Sequence, residues 1–411
     1  MSKYAGTAAQ QSPTGQVSLF SLFWTFLKIG STAFGGFMAL ISVVEQMIVE
    51  RRKLLRHEDM LDGISLASIL PGPVAVNVVA FVGYRLRGAA GACVSAVGVI
   101  LPSFVLIVAL TIAYLTWGQL PVVDKLFMGF IPAVAAIIVS TAWAMSRKAV
   151  TGIREGLIML AAAGLLLGVG GFFITVIIIL SAGVIGWALF RKPDADRQAK
   201  PPPPPEADGP SNKGGSKPSV LVAAPLFMSQ FFAFELGMLG KLFVTFAGMS
   251  VMLFGGGYVF VPLIQEIVVA GQGWVTQQEF VDAIAMGQIT PGPILISAAF
   301  IGYKVAGLAG AVVATVGIFS PPILLMLSGT HAMERIKHSP VIRAALAGVR
   351  PAVVGMIFAA AVVVGRTASV EGGALWVSML ICAAALVALL GLRVQVIWII
   401  PAAGIAGLLL Y

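Results

Sequence analysis

Two short motifs of the chain have the residue types needed to bind an anion through the main chain, and each motif occurs twice. Phe-Gly-Gly at 34–36 precedes Pro-Gly-Pro at 71–73, and the pair recurs at 254–256 and 291–293, 220 positions later (254 − 34 = 220; 291 − 71 = 220). A helix that starts inside a bilayer after such a break has unpaired N–H groups and about half a positive charge at its first turn. Glycine lets a solute approach the backbone closely. The motifs therefore predict a main-chain site for an anion.

The motif residues and nearby polar side chains are the predicted substrate-binding residues. They are Gly35, Gly36, Pro71, Gly72, Pro73, Asn77, Gly255, Gly256, Thr290, Pro291, Gly292, Pro293 and Ser297. Ser68 and Gln288, which correspond to each other in the repeat, are further polar candidates beside the Pro-Gly-Pro motifs. Asn77 and Ser297 also correspond, and hydrogen bonding between helices is an equal alternative for that pair.

Five charged side chains lie within or at the ends of apolar segments, where charge is costly and tends to face water or solute. They are Lys28, Arg85, Lys304, Glu45 and Glu266. Arg85 and Lys304 correspond in the repeat, and we expect them to line the path of the anion. Lys28 either lines the site or extends its ammonium group to the interface. Glu45 and Glu266 are either carboxylates that couple transport to protons or residues that simply lie at helix ends.

Catalysis has little support in the sequence. The three histidines, His57, His331 and His338, lie in charged loops without metal-ligand spacing, and no nucleotide-binding loop occurs. We therefore predict no catalytic residue, no metal site and no cofactor. An internal duplication in an apolar chain is the usual build of a transporter, and without a nucleotide-binding loop we expect transport to be driven by ion gradients.

The composition identifies the solvent of this protein as a lipid bilayer. The chain is 59% hydrophobic and 10% charged, with a mean hydropathy of +0.99, whereas charged residues make up about 25% of an ordinary soluble domain. The net charge of +9 comes from basic residues in short loops, which indicates membrane orientation and argues against nucleic acid as a partner. The sequence therefore predicts an all-α polytopic membrane protein.

The repeats divide the chain into two homologous halves. We predict a polar N-terminal tail at 1–17, repeats at 18–190 and 221–411, and a Pro-rich cytoplasmic linker at 191–220. After the second Pro-Gly-Pro motif the repeat offset slips from 220 to 219, as Gly83 and Gly302 show (302 − 83 = 219).

The distribution of basic loops predicts that the two halves are inverted relative to each other. Two prolines within three residues cannot continue a helix, so each Pro-Gly-Pro is expected to join two discontinuous or re-entrant half-helices. If the chain turns back there, the basic loops of the first half lie on one face. The first half then crosses five times and the second half is an inverted repeat. Whether the segment at 18–50 crosses once or folds back at Gly35-Gly36 is open.

At these motifs the sequence resembles the chromate ion transporter family in its long-chain form of two fused homologous domains. The resemblance rests on both motif pairs, on Glu50-Arg51-Arg52, and on Gly-Tyr-Arg at 83–85 with Gly-Tyr-Lys at 302–304. One departure is Leu54, where the family often has tryptophan, while the second half keeps Trp274. The resemblance implies a multi-pass protein of the bacterial inner membrane that exports chromate from the cytoplasm. It also implies sulfate as a competitor and energy from the membrane potential or protons.

Two other functions are kept open. One is a transporter or channel for sulfate or another small anion. The other is a polytopic membrane enzyme acting on lipid phosphates, which would need clustered acid–base or metal-ligand residues at one depth. The expected partners are a chromate or sulfate oxyanion, the lipid bilayer and coupling protons; the oligomeric state, a homodimer included, is left open.

Overall fold

The computed structural model describes residues 17–34, 36–118, 120–190, 237–253, 260–331, 339–370 and 375–411, and the regular secondary structure of these residues is helical. Residues 1–16 of the predicted tail, the whole predicted linker with 221–236, and Gly35, Gly255 and Gly256 lie outside the described residues. Two homologous halves of helices therefore account for the described chain, as the repeat predicts.

The described residues of the first half form seven helices. They are α1 (Leu19–Thr32), α2 (Gly36–Glu45, continued by a π-helical turn Gln46–Arg51), α3 (His57–Ile69), α4 (Val74–Trp117), α5 (Pro121–Ala149), α6 (Ile153–Gly168) and α7 (Phe172–Phe190). The second half repeats this order. Its helices are α8 (Met238–Val251), α9 (Phe260–Ile264, continued by a π-helical turn Gln265–Gly271), α10 (Gln277–Ile289), α11 (Ser297–His331), α12 (Pro340–Val370), α13 (Leu375–Leu386, continued by Val387–Gly391) and α14 (Val396–Leu410).

Five helices are long and apolar enough to cross a membrane. These are α4, α5, α7, α11 with the turn before it, and α12. Helix α4 is broken at Arg87–Gly88, where Gly88 has φ +62°, and α11 is broken in the same way at Ala306–Gly307. Each therefore has a short first arm and a long second arm, and only the second arm spans the bilayer.

The chain turns back at each Pro-Gly-Pro, as predicted. In the first half, Arg85 at the end of the first arm of α4 lies 2.5 Å from Asp59 at the start of α3. Gly63 of α3 faces the ring of Phe81 halfway along. Helix α3 and this arm thus form a hairpin, here called the Pro-Gly-Pro hairpin. Its 13-residue helix is about 20 Å long, enough to bring the turn close to the middle of a hydrocarbon layer about 30 Å thick.

Helices α1 and α2 also fold back on each other, which answers the question left open by the sequence. Arg52 Nη1, just after α2, donates to Ser21 Oγ at the start of α1 at 3.3 Å. In one continuous helix these residues would be roughly 45 Å apart. The count of five crossings for the first half was therefore wrong, because the chain passes between the faces four times within 89–190. The halves are joined by residues 191–236, which lie outside the described residues.

Contacts between the halves confirm that they are inverted. Tyr114, at the far end of α4 from the basic loops, donates its hydroxyl to Asp282 near the start of the second Pro-Gly-Pro hairpin at 2.7 Å. Gly171 N–H, in the turn between α6 and α7, donates to Glu266 Oε2 at 2.5 Å. The side of the protein with Arg51, Arg85 and Arg147 is here called the basic face. The bases of the hairpins of the second half lie on the other side, which we call the opposite face.

The long helices of each half pack against the last helices of the other. Helix α5 contacts α13 and α14, and α12 contacts α6 and α7. A Cβ on Gly129 would lie 2.1 Å from Ala403 O, and one on the corresponding Gly348 would lie 2.1 Å from Ala182 O. Small residues at these positions allow the close backbone approach that stabilises membrane helices.

The one-residue slip in the repeat has a local cause. The first arm of α4 starts with an α-turn, in which Asn77 N–H donates to Pro73 O at 3.0 Å. The second half starts instead with a 3₁₀ turn, Ile294–Ile296, in which Ile296 N–H donates to Pro293 O at 3.1 Å. A 3₁₀ turn uses fewer residues than an α-turn, so the second half reaches the same point with one residue less.

Candidate functional site

The candidate site lies where the hairpin turns of the two halves meet. Gly72 N–H donates to Leu253 O at 2.6 Å, and Gly292 N–H donates to Ala33 O at 2.9 Å. Each acceptor stands directly before a Phe-Gly-Gly motif of the other half. The two bonds are equivalent under the repeat (292 − 72 = 220; 253 − 33 = 220). The Pro-Gly-Pro turn of one half is therefore held by the Phe-Gly-Gly segment of the other.

The two central glycines have a different role from the one predicted. Both have φ +107°, and a Cβ would lie 2.3 Å from Pro322 Cβ at Gly72 and 2.2 Å from Ser103 Oγ at Gly292. Pro322 and Ser103 also correspond in the repeat (322 − 103 = 219). The space beside each glycine is thus filled by a helix of the opposite half, and its N–H is already bonded. The expectation that these glycines leave room for a solute was wrong for this side of the turn.

Main-chain donors remain at the helix starts after the turns. No described residue accepts a hydrogen bond from the N–H groups of Val74 and Ala75 at the start of α4. Both residues are buried, at 7% and 1% exposed. The corresponding Ile294 and Leu295 are buried as well. These donors sit at the positive end of the helix dipole and are the part of the predicted cradle that the structure leaves unpaired.

Three of the predicted polar side chains stabilise the turns. Asn77 Nδ2 donates to Pro71 O at 3.2 Å, while the hydroxyls of Thr290 and Ser297 donate to the backbone of their own helical turns. Gln288 differs: its Nε2 group is buried and has no acceptor among the described residues. A buried donor without a partner is costly, so Gln288 is a donor that an anion at the turn would satisfy.

Arg85 and Lys304 close the bases of the two Pro-Gly-Pro hairpins. Arg85 pairs with Asp59, and Lys304 pairs with Glu279 in the equivalent place. Lys304 lies on the opposite face, where the charge rule does not expect it, and the Glu279 carboxylate accounts for it there. The structure thus gives both cations a partner at the hairpin base, away from the turns where the predicted anion site lies.

We expect the Lys304–Glu279 pair to stabilise the hairpin as a unit. Lys304→Met or Glu279→Gln alone leaves one charge without its partner, which is more costly than removing both. Each single variant should therefore lower the thermal stability of the purified protein, and the double variant should recover most of the loss. Melting temperatures of the four proteins measure this. Additive losses in the double variant would contradict the pairing.

The other charged candidates lie away from the turns. The Glu45 carboxylate lies 2.7 Å from His57 Nδ1, and Glu266 accepts a hydrogen bond from the Gly171 N–H. Both carboxylates thus bind the starts of neighbouring helices. Lys28 is exposed, with its ammonium 6.0 Å from the centre of the Trp24 ring. Gly36 begins α2.

The two Pro-Gly-Pro hairpins differ in exposure although their sequences correspond. Helix α10 is buried from Phe280 to Gln288 and packs against α5 and α14. Helix α3 packs chiefly against α4 and α11. Its outward positions Asp62, Ser65 and Ser68 are exposed, whereas their counterparts Asp282, Ala285 and Gln288 are buried.

The exposed side of α3 carries three polar residues beside Leu61, which is 49% exposed, and we infer from them that this side faces water. Asp62, Ser65 and Ser68 are spaced by three residues, which places them on one side of a helix. A polar stripe of this kind is unfavourable against lipid. By the repeat, this stripe faces α12 as α10 faces α5. We call the space between α3 and α12 the basic-face vestibule. The Pro-Gly-Pro hairpin helix whose base lies on the basic face is thus exposed, and the one whose base lies on the opposite face is buried.

Comparison with known proteins identifies the relatives of the chain. The family model described as "Chromate transporter" matches residues 20–187 and 240–408. The chromate transport protein of Cupriavidus metallidurans is 31% identical over 374 residues, 89% of this chain and 87% of that protein. The probable chromate transport protein of Synechococcus elongatus is 32% identical, covering 85% of each chain. An uncharacterized transporter of Methanocaldococcus jannaschii is 32% identical, covering 83% of each. No solved structure matches the chain.

Proposed function

Because this chain belongs to the chromate transporter family, we propose that it exports chromate from the cytoplasm by secondary active transport, holding the anion at the hairpin turns between its halves. Members of the family are transport proteins and not enzymes. The two halves of the chain would then form one transport pathway between them.

The observation that carries the proposal is the unequal exposure of α3 and α10. In transporters built from inverted repeats, a central site opens alternately to the two sides as one group of helices moves against the other. In such a protein, a segment of one half is exposed while the corresponding segment of the other half is buried. The two segments exchange these environments when the protein changes state. Helix α3 is open and α10 is closed, which is the pattern of a state open toward the basic face.

The charge of the basic face supports an assignment of that face to the cytoplasm. Cytoplasmic loops carry the excess of lysine and arginine, so the basic-face vestibule opens to the cytoplasm. An anion entering there would meet the N–H groups of Val74 and Ala75 and the side chain of Gln288. It would leave at the opposite face once α10 separates from α5 and α14.

The membrane potential is sufficient to drive export of a dianion. One elementary charge moved across 100 mV changes the free energy by about 2.3 kcal/mol, so two charges give roughly 4.6 kcal/mol. That corresponds to more than a thousandfold concentration ratio. The inside-negative potential favours outward movement of a dianion, and exchange for entering protons would add to this driving force.

We expect cells that produce the protein to accumulate less labelled chromate than cells carrying an empty vector. A tenfold excess of unlabelled sulfate, a tetrahedral dianion of similar shape, tests the competing substrate. Collapsing the membrane potential should abolish the difference between the two cell lines. Equal chromate accumulation with and without the protein would contradict the proposal, and lowered sulfate with unchanged chromate would favour the sulfate alternative.

A further inference from the structure

Arg350 is an arginine inside a membrane-spanning helix that the repeat pattern does not reveal. It lies ten residues after the start of α12 at Pro340, about 15 Å along the helix axis from that end. Helix α12 is the most buried of the five spanning helices, yet Arg350 is exposed. An exposed charge at this depth faces either lipid or a water-filled space, and the lipid alternative is strongly unfavourable.

The guanidinium of Arg350 has no protein partner in the described part of the chain. None of the ion pairs and hydrogen bonds among those residues includes it. Arg85 and Lys304, in contrast, each have a carboxylate. An arginine in a membrane protein normally pairs with another group or marks the path of a solute, so Arg350 has the properties expected of a residue that binds an anion.

Helix packing shows which way Arg350 points. Gly348 and Gly355 of α12 press against α7 and α6, at Ala182 and Met159. At 100° per residue these glycines lie roughly 160° and 140° around the helix from Arg350. The side chain therefore points away from α6 and α7.

The neighbours of Arg350 on the same side of α12 mark the depth of the open space. Arg343, two turns nearer the basic face, is exposed, whereas Val354, one turn deeper, is fully buried. The space beside α12 thus ends at about the level of Arg350.

The repeat places this space opposite α3. The counterpart of Arg350 is Ile131 (350 − 131 = 219), which is 2% exposed in α5. Helix α10 packs against α5 in the closed half. In the open half, α3 and α12 hold the corresponding positions, so Arg350 lies across the basic-face vestibule from the polar stripe of α3.

We propose that Arg350 binds the oxyanion substrate in the basic-face vestibule, an inference that rests on the proposed function. A guanidinium matches a tetrahedral oxyanion with two parallel hydrogen bonds and keeps its charge at any physiological pH. The counterpart Ile131 is apolar, so the pseudo-symmetric site has a cation on one side only. The Arg350 guanidinium therefore binds the anion that enters from the basic face.

Equilibrium binding of labelled chromate to purified protein in lipid nanodiscs tests the assignment without requiring transport. We expect Arg350→Gln to weaken the apparent Kd by about tenfold or more, the loss typical of a charged hydrogen bond. Arg350→Lys keeps the positive charge but cannot form two parallel hydrogen bonds. Its apparent Kd should therefore lie between those of wild type and Arg350→Gln. The matched control is Arg366→Gln, which removes an exposed arginine at the other end of α12 and should bind like wild type.

Five outcomes distinguish a failure of this inference from a failure of the proposed function. Weaker binding by Arg350→Gln at unchanged melting temperature supports it. If Arg350→Gln fails to fold, several-fold weaker binding by Arg350→Lys supports it and wild-type binding by that variant overturns it. Wild-type binding by Arg350→Gln overturns the role of Arg350 and leaves the proposed function standing. Failure of the unmodified protein to bind chromate at millimolar concentration refutes the proposed function and this inference with it.

Discussion

Gly72→Ala should prevent the protein from assembling into a stable, monodisperse form, and Gly292→Ala should destabilise it by a smaller amount. Both glycines have φ +107°, and a Cβ would meet Pro322 or Ser103 at 2.3 or 2.2 Å. Backbone strain at positive φ costs about 1–2 kcal/mol. At Gly72 the overlap would add to this, because the Pro322 ring cannot move aside without shifting a helix of the opposite half. At Gly292 the Ser103 hydroxyl can rotate away at the cost of its hydrogen bond to Pro291 O, so the added loss is smaller. Size-exclusion profiles and melting curves of detergent extracts measure the effect.

Gly171→Ala is the matched control for that experiment. Gly171 also has a positive φ, +93°, but a Cβ there would meet nothing within 4 Å. Its variant should lose only the strain energy and remain monodisperse. If all three alanine variants were equally stable, the close packing between the halves at the Pro-Gly-Pro turns would be refuted.

Attaching a bulky group to α3 should stop transport almost completely. Ser65 lies on the exposed stripe of α3, and the vestibule can close only if this stripe packs against α12. A Ser65→Cys variant, in a background with Cys93 and Cys382 replaced by serine, should react with a membrane-impermeant maleimide from the basic face. We expect more than about 90% loss of chromate flux after labelling, because one of the two required states is blocked.

Two matched positions make this result specific. Thr151→Cys, exposed in the turn between α5 and α6, should be labelled at the same face without loss of flux. Ala285→Cys, the counterpart of Ser65, is buried and should become reactive from the opposite face during transport. Full flux after complete labelling of Ser65→Cys would contradict the alternating use of the two hairpins.

The architecture could be predicted from the sequence because its signal occurs twice. The recurring Pro-Gly-Pro motifs indicated interrupted helices, and the distribution of Arg51, Arg85 and Arg147 indicated an inverted repeat; both are confirmed. The fold-back of α1 on α2 could not be predicted, because a glycine pair permits a turn without requiring one.

The detailed chemistry of the site was less predictable, because it depends on contacts across the halves. A glycine with an open side and a glycine packed against Pro322 look the same in a sequence, and only the structure distinguishes them. Arg85 and Lys304 gave a repeat signal, yet the carboxylates that accompany them also repeat and give the pairs a structural role. Arg350 gave no repeat signal, since its counterpart Ile131 is apolar, although an arginine so far inside an apolar segment was itself a detectable signal.

The most direct test is an experimental structure of the protein with chromate, in which anomalous scattering locates the chromium atom. We predict a single strong chromium peak between the Pro-Gly-Pro turns and the Arg350 guanidinium, reached from the basic face. A strongest peak at any place outside the basic-face vestibule and the turns, at saturating chromate, would contradict the account.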